Sequence, residues 1–202
     1  MNELKNGLTR YFTEEQLDKI RTVHIFIAGC GGLGSNVAHM LVRSGFLHFT
    51  LLDFDRVEDS NLNRQFFFPD QLGMPKTEAL SANLLKLEPE LDLKMINKKI
   101  SPEENIPELI KESHIIVEAF DDPRTKAVFV NGALTTGKPV IAASGLAGYG
   151  RTDSIVTKKI SDNFFLVGDG SSDIKSLPPL APGVCVAAAK QADAVLKIVL
   201  DT

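Results

Sequence analysis

Residues 26–37 read FIAGCGGLGSNV, and their glycines fall as G-x-G-x-x-G at Gly29, Gly31 and Gly34. The run before the loop, VHIFIA (Val23–Ala28), is short, rich in β-formers and almost continuously apolar, as a strand buried on both faces is. The stretch after it places Val37, Met40 and Leu41 on one face of a helix running from about Ser35 to Arg43. Gly29 permits a tight turn, Gly31 lets a ligand's phosphate approach the backbone, and Gly34 lets helix and strand pack closely. The start of the helix then offers free N–H groups and a positive dipole end to an anion. A second apolar run, FTLL (Phe49–Leu52), ends at Asp53, 19 residues beyond Gly34, where an acid can take ribose hydroxyls. These features predict a bound nucleotide. They fit a dinucleotide used for hydride chemistry and a nucleoside triphosphate used for group transfer equally well.

Outward from this unit the rhythm repeats. Helical patterns at Lys76–Lys86, Pro102–Lys111 and Arg124–Leu134 alternate with strand patterns at Leu93–Ile96, Ile115–Phe120 and Pro139–Ala143. That alternation predicts a Rossmann-like α/β fold: a mostly parallel sheet with helices on both faces. Past Gly150, the segments Ser154–Ile160 and Asn163–Asp169 follow each other without a helix and read as an antiparallel extension. A Gly/Ser/Pro-rich loop from Gly168 to Gly183 precedes a last helix from about Val184 to Leu200. The expectation is one nucleotide-binding domain over residues 1–202, with an N-terminal helical arm at 1–21.

With 44% hydrophobic and 24% charged residues among 202, the composition is that of a water-soluble globular protein. A formal net charge of −4 supplies no bulk attraction to nucleic acid or anionic membrane. The polar N-terminus is unlike a signal peptide, and no apolar run approaches bilayer length, so a cytoplasmic protein with neither membrane nor nucleic-acid partner is expected. The two cysteines, Cys30 and Cys185, form no C-x-x-C pair, which argues against zinc.

The choice of phosphate rests on DFDRVEDSNLNRQFFF, residues 53–68. Asn61, Asn63, Arg64 and Gln65 crowd five positions beside the ribose acid, more polar donors than hydride transfer needs and a set suited to a triphosphate. Lys76 adds a cation at the next helix start. Asp121 and Asp122 follow the strand ending at Phe120, where carboxylates can hold Mg²⁺ over a ligand.

These motifs together resemble the ThiF/MoeB family of ubiquitin-activating-enzyme-like adenylyltransferases: G-x-G-G-L-G-S at 29–35, D-x-V-x-x-S-N-L-x-R-Q at 55–65, G-x-x-K at 73–76 and D-D-x-x-x-K at 121–126. The tail looks most like the short thiamine-biosynthesis branch. The resemblance implies a homodimer that uses Mg·ATP to adenylate the C-terminal glycine of a small ubiquitin-like sulfur carrier ending in Gly-Gly, releasing pyrophosphate. It implies that Gly29, Gly31, Gly32, Gly34, Asp53, Asp55, Asn61, Arg64, Gln65 and Lys76 bind the nucleotide. Catalysis would fall to Arg10, Arg64, Lys76 and Asp121, with Asp121 near Mg²⁺ and Arg10 reaching the partner subunit's site. The zinc-binding C-x-x-C pairs of many members are missing, and Pro182-Gly183-Val184 stands where Pro-Arg-Val is common.

The carrier's carboxylate, with a pKa of about 3.5, is already ionised at neutral pH, so this chemistry needs no general base. His24, His39, His48 and His114 accordingly read as structural. The loop 168–183 is a candidate lid or a plain connection. Cys185, at a helix start that would lower its pKa, is either a sulfur shuttle or a buried small residue; burial is the commoner fate. Alternatives in substrate are another sulfur carrier or a tRNA carboxylate. Alternatives in class are a nicotinamide-dependent oxidoreductase and a nucleotide-binding scaffold without activity.

Overall fold

The computed structural model describes residues 3–172 and 177–201. The chain begins with two short helices, α1 (Glu3–Leu8) and α2 (Glu14–Thr22). The expected arm is therefore broken. Thr13 caps α2 reciprocally: its hydroxyl accepts from Gln16 N at 3.2 Å while its own N–H donates to Gln16 Oε1 at 3.0 Å. There follow β1 (His24–Ala28), α3 (Gly32–Arg43), β2 (His48–Asp53), α4 (Lys76–Leu85), β3 (Asp92–Asn97), α5 (Ile106–Leu109), β4 (Ile115–Glu118), α6 (Pro123–Leu134), β5 (Val140–Ala143), β6 (Val156–Ser161), β7 (Phe164–Gly168) and α7 (Ala181–Leu200).

The seven strands form one sheet in the order β3-β2-β1-β4-β5-β7-β6. All neighbours are parallel except β6 and β7, so the antiparallel extension is the far edge alone, and β7 itself runs parallel to β5. Alternate strand residues feed two cores. Ile25, Ile27, Phe49, Leu51 and Val117 pack under α2, α3, α4 and α7. Phe26, Ala28, Leu52 and Ile116 pack under α5 and α6, with Phe129 at the centre. This double burial explains why the inner strands read as unbroken apolar runs.

Several boundaries differ from the sequence reading, among them the start of α7, at Ala181 rather than Val184. α3 starts at Gly32 rather than Ser35, with Gly31 at its cap, so Gly32 and Gly34 belong to the first helical turn. β4 ends at Glu118 rather than Phe120, because Phe120 N donates to the Glu118 carboxylate at 2.7 Å and leaves the ladder. α5 spans four residues instead of ten. Pro107 tolerates only the first turn of a helix, so the helix cannot start well before it.

The chain leaves β1 toward β2 and leaves β4 toward β5, while β1 and β4 pair with each other. Their carboxyl ends part in opposite directions there and open the crevice that such sheets offer to ligands. Among the described residues, no helix is long and apolar enough to cross a membrane.

Candidate active site

A cavity of about 420 Å³ occupies that crevice. Its floor is the glycine loop, whose glycines have distinct reasons to be bare. At Gly29, φ is +99°, and a Cβ would lie 2.8 Å from the carbonyl oxygen of Ala119 on the neighbouring chain segment. At Gly34 a Cβ would lie 1.8 Å from Gly29 O, so the α3–β1 approach itself forbids a side chain. At Gly31 nothing lies closer than Gln65 Nε2 at 3.7 Å. Its bareness therefore leaves room in the cavity and relieves no clash. Gly32 is intermediate, with Val184 Cγ1 at 3.1 Å from the position of a Cβ.

Asp53 closes β2 and is buried. One carboxylate oxygen accepts from Cys30 N at 2.6 Å and the other from Asp55 N at 2.9 Å. Backbone donors thus hold the carboxylate in one orientation, and each oxygen keeps a lone pair for a further donor.

The segment after β2 is tied to α3 by two side chains that the sequence reading passed over. Asn36 Nδ2 donates to Gly32 O at 2.7 Å and to Arg64 O at 2.9 Å, and Ser35 Oγ accepts from Phe66 N at 3.0 Å. Arg64 and Gln65 are thereby brought to the glycine loop, and both line the cavity. One Arg64 nitrogen donates to Ser60 O at 2.9 Å and Asn63 Oδ1 at 2.8 Å, which orients the fork. Gln65 Oε1 is buried without a partner among the described residues. Lys76, also buried, donates to Asp55 Oδ2 at 2.9 Å, and both residues border the cavity.

Three of the expected site residues, Gly34, Asn61 and Arg10, do not line the cavity; Gly34 packs α3 against the glycine loop. Asn61 is buried but holds its own 3-10 turn: its Oδ1 accepts from Glu58 N at 3.0 Å, and it does not line the cavity. Arg10 lies in the exposed turn after α1, away from the cavity of its own chain.

The opposite wall begins where β4 ends. Asp121 lines the cavity, whereas Asp122 caps α6. Asp122 accepts from Thr125 N and Thr125 Oγ1, both at 2.7 Å, and those bonds hold its carboxyl below the usual range. The doubled acid is thus one cap and one cavity carboxylate. Beneath them lies a group that sequence reasoning missed as a site. Glu118 is fully buried, and Lys126 on α6 donates to it at 2.5 Å and to Ala143 O at 2.8 Å while lining the cavity. Burial pushes the Glu118 carboxyl up, and Lys126 pulls against that shift. Gln191 of α7 donates to Glu118 O and Ile141 O, bracing β4 against β5. The lysine was visible in the D-D-x-x-x-K motif, but its acidic partner lay inside a strand that read as pure core.

The far wall consists of Ser144, Gly145, Leu146, Ser172, Pro179 and Val184. Asp169 Oδ1 accepts from Ser171 N and Ser172 N at 2.8 Å, and Ser172 Oγ accepts from Ala147 N at 3.0 Å, which ties two loops together. The middle of the anticipated lid, residues 173–176, lies outside the described residues.

Cys185 is half-buried, and burial raises its pKa, contrary to the lowering expected at a helix start. His24, His48 and His114 gather at the opposite end of the sheet, where His24 N donates to His114 Nδ1 at 2.9 Å. They take no part in the cavity, as their structural reading anticipates.

The arrangement is that of a site for a polyanion. Backbone N–H groups, a forked guanidinium and an ammonium converge on one side, and a carboxylate faces them. Mg²⁺ in nucleotide sites is held by one or two carboxylates plus phosphates and water, and Asp121 is one of three aspartates that line the cavity, with Asp53 and Asp55.

The chain is similar to several known proteins. A tRNA threonylcarbamoyladenosine dehydratase of Haemophilus influenzae is 33% identical over 143 residues, covering 70% of this chain and 55% of that protein. The chain thus spans little more than half the length of that curated relative. Among solved structures, the Escherichia coli dehydratase TcdA in complex with ATP superposes with a TM-score of 0.88, at 21% identity, over 97% of this chain and 93% of the other. That likeness bears on the fold. Escherichia coli MccB with ATP gives a TM-score of 0.69 at 29% identity, over 91% of this chain and 58% of the other. The ThiF family description matches residues 5–202, nearly the whole length, and the chain belongs to the ThiF family.

Proposed function

We propose that this chain is an ATP-dependent adenylyltransferase that activates a carboxylate. The observation that carries the reading is the convergence of the glycine loop, Asp53, Arg64, Lys76 and Asp121 on one cavity. In this reading Asp53 accepts from the ribose hydroxyls, and the first turn of α3, Arg64 and Lys76 hold the phosphates. Asp121 would hold Mg²⁺, which would neutralise charge on the triphosphate. An oxygen of the acceptor carboxylate attacks the α-phosphorus. A C–O–P bond forms, the bond from the α-phosphorus to the bridging oxygen breaks, and pyrophosphate leaves with the electron pair. The chain supplies alignment and cations, and no group of its own needs to move a proton.

Similarity to the Haemophilus dehydratase favours a tRNA-borne threonylcarbamoyl carboxylate as acceptor over the sulfur carrier of the thiamine pathway. Loss of water at a carboxylate calls for this step, because the oxygen leaves readily only after adenylation. The expectation of no nucleic-acid partner gives way in this reading. A protein tail stays as the second reading because the net charge of −4 supplies no general attraction to RNA.

Exchange of labelled pyrophosphate into ATP tests both. Stimulation by tRNA carrying threonylcarbamoyladenosine, and not by a carrier ending in Gly-Gly, is the expected result; the reverse selects the carrier. Tight NADH binding without ATP binding in calorimetry overturns the adenylyltransferase reading altogether. Arg10, remote from its own cavity, is proposed to serve the partner's site across a two-fold axis. Mixing inactive Arg10→Ala and Asp121→Ala proteins should then restore about a quarter of the sites. Heterodimers that form yet stay inactive defeat that role.

A further inference from the structure

Among the described residues, the cations that line the cavity are Arg64, Lys76 and Lys126. Arg64 and Lys76 belong to the segment from β2 to the start of α4, on the side of the glycine loop. Lys126 comes from α6, on the opposite wall. Folding accounts poorly for it. A buried ion pair is costly to desolvate, and apolar residues of similar volume in both places are often at least as stable. Glu118 is fully buried and does not line the cavity, whereas the Lys126 side chain is 25% exposed and does. The pair therefore turns its positive end to the cavity. Two of the three ammonium N–H groups are spent, on Glu118 at 2.5 Å and on Ala143 O at 2.8 Å. The third has no partner among the described residues. Ala143 closes β5 and lines the cavity beside Ser144, so the ammonium is fixed where the wall of Asp121 meets the far wall.

We infer that Lys126 receives the acceptor's carboxylate, donating its remaining N–H to the oxygen that does not attack. The inference rests on the proposed adenylation and adds to it the residue that binds the second substrate. A carboxylate entering this cavity meets three aspartates, Asp53, Asp55 and Asp121, besides the triphosphate. Arg64 and Lys76 serve the phosphates in that reading, and Lys76 already holds Asp55 at 2.9 Å. A cation on the other wall, held off the phosphates by Glu118 and Ala143, lets the two anions approach each other. A charge-assisted bond to one carboxylate oxygen also aims the other at the α-phosphorus.

The test removes the charge without stranding its partner. Lys126→Met alone leaves Glu118 unpaired, so the variant used is Glu118→Gln/Lys126→Met on the full chain. With tRNA carrying threonylcarbamoyladenosine as acceptor, pyrophosphate exchange should show the KM for tRNA raised about tenfold to a hundredfold. Calorimetric affinity for Mg·ATP should stay at the wild-type value. A second measurement reads the carboxylate itself. Wild-type protein should bind this tRNA at least about tenfold more tightly than the same tRNA with its threonylcarbamoyl group methyl-esterified, and the double variant should bind the two alike. If the wild type exchanges only with the Gly-Gly carrier, the same comparison is made between that carrier and its C-terminal amide. A double variant that keeps the wild-type KM, or wild-type protein that binds acid and ester equally, overturns the role of Lys126 alone. ATP affinity that falls as far as acceptor affinity assigns the lysine to the nucleotide and overturns it too. Wild-type protein that exchanges with neither acceptor overturns the adenylyltransferase reading, and the carboxylate site with it.

Discussion

The two walls of the cavity differ in what holds them. On the β1–β2 side the working groups are fixed by the backbone. Both oxygens of Asp53 accept main-chain N–H bonds, and Asn36 and Ser35 bind main-chain atoms of Arg64 and Phe66. On the β4–β5 side the support is a buried charge pair, Glu118 and Lys126, with Gln191 behind it. A wall fixed by backbone tolerates loss of a single side-chain charge. A wall fixed by a buried ion pair does not, because removing one partner strands the other in a low-dielectric interior. Substitutions on the two sides should therefore fail in different ways.

The largest effect falls on the backbone wall, where closeness and not charge is at stake. Gly34→Ala should destabilise the fold by more than about 3 kcal/mol, because its Cβ would sit 1.8 Å from Gly29 O. Gly31→Ala, with its nearest neighbour at 3.7 Å, should fold normally and lose nucleotide affinity instead. Urea melts of the two variants measure this contrast, and equal stabilities would erase it.

Next comes Lys126→Met. Stranding Glu118 should cost about 3 kcal/mol at neutral pH. The sign of the pH dependence follows from the raised folded-state pKa of Glu118. The folded protein then binds the proton more tightly than the unfolded chain, so stability falls as pH climbs from the unfolded carboxylate value through the folded one. The fall should be steeper in Lys126→Met, which lacks the opposing cation. Glu118→Gln/Lys126→Met should recover most of the loss. A variant equally stable at acid and neutral pH would show that Glu118 does not depend on Lys126.

Asp121→Ala and Arg64→Ala sharpen the comparison from the functional side. Each should remain folded, with an unchanged urea midpoint, and lower pyrophosphate exchange at least about a hundredfold, equivalent to about 2.7 kcal/mol of transition-state stabilisation. Undiminished exchange in either folded protein removes that residue from the machinery. The smallest effect belongs to Cys185. Its thiol is raised by burial and poorly suited to act as a thiolate, so Cys185→Ala should leave adenylation and any later transfer step at wild-type rates. A transfer defect with intact exchange would assign it a chemical role.

The legible half of this site is the half made of local geometry. The glycine loop, the acid at the end of β2 and the lysine that opens α4 announce themselves because a tight turn, a strand end and a helix start each impose residue types at short spacing. The less legible half depends on pairs far apart in the chain. Glu118 sits in IIVE, an apolar run in which a charged residue reads as a strand boundary, and its partner Lys126 is identifiable only once α6 folds back over β4. Asn61 shows the opposite case: it belongs to a motif that suggests phosphate binding, and in the fold its side chain holds its own turn.

The sequence by itself determined the order of strands and helices along the chain, the mostly parallel sheet and the placement of the glycine loop, because apolar period and glycine spacing are properties of neighbours along the chain. The tertiary structure alone decided which polar residues share a cavity and which acid of a doubled pair is a cap. It also decided that a lysine beside the site is bound to a buried glutamate. Those outcomes depend on how far apart the folded backbone sets each donor and acceptor, and spacing along the chain does not encode that distance.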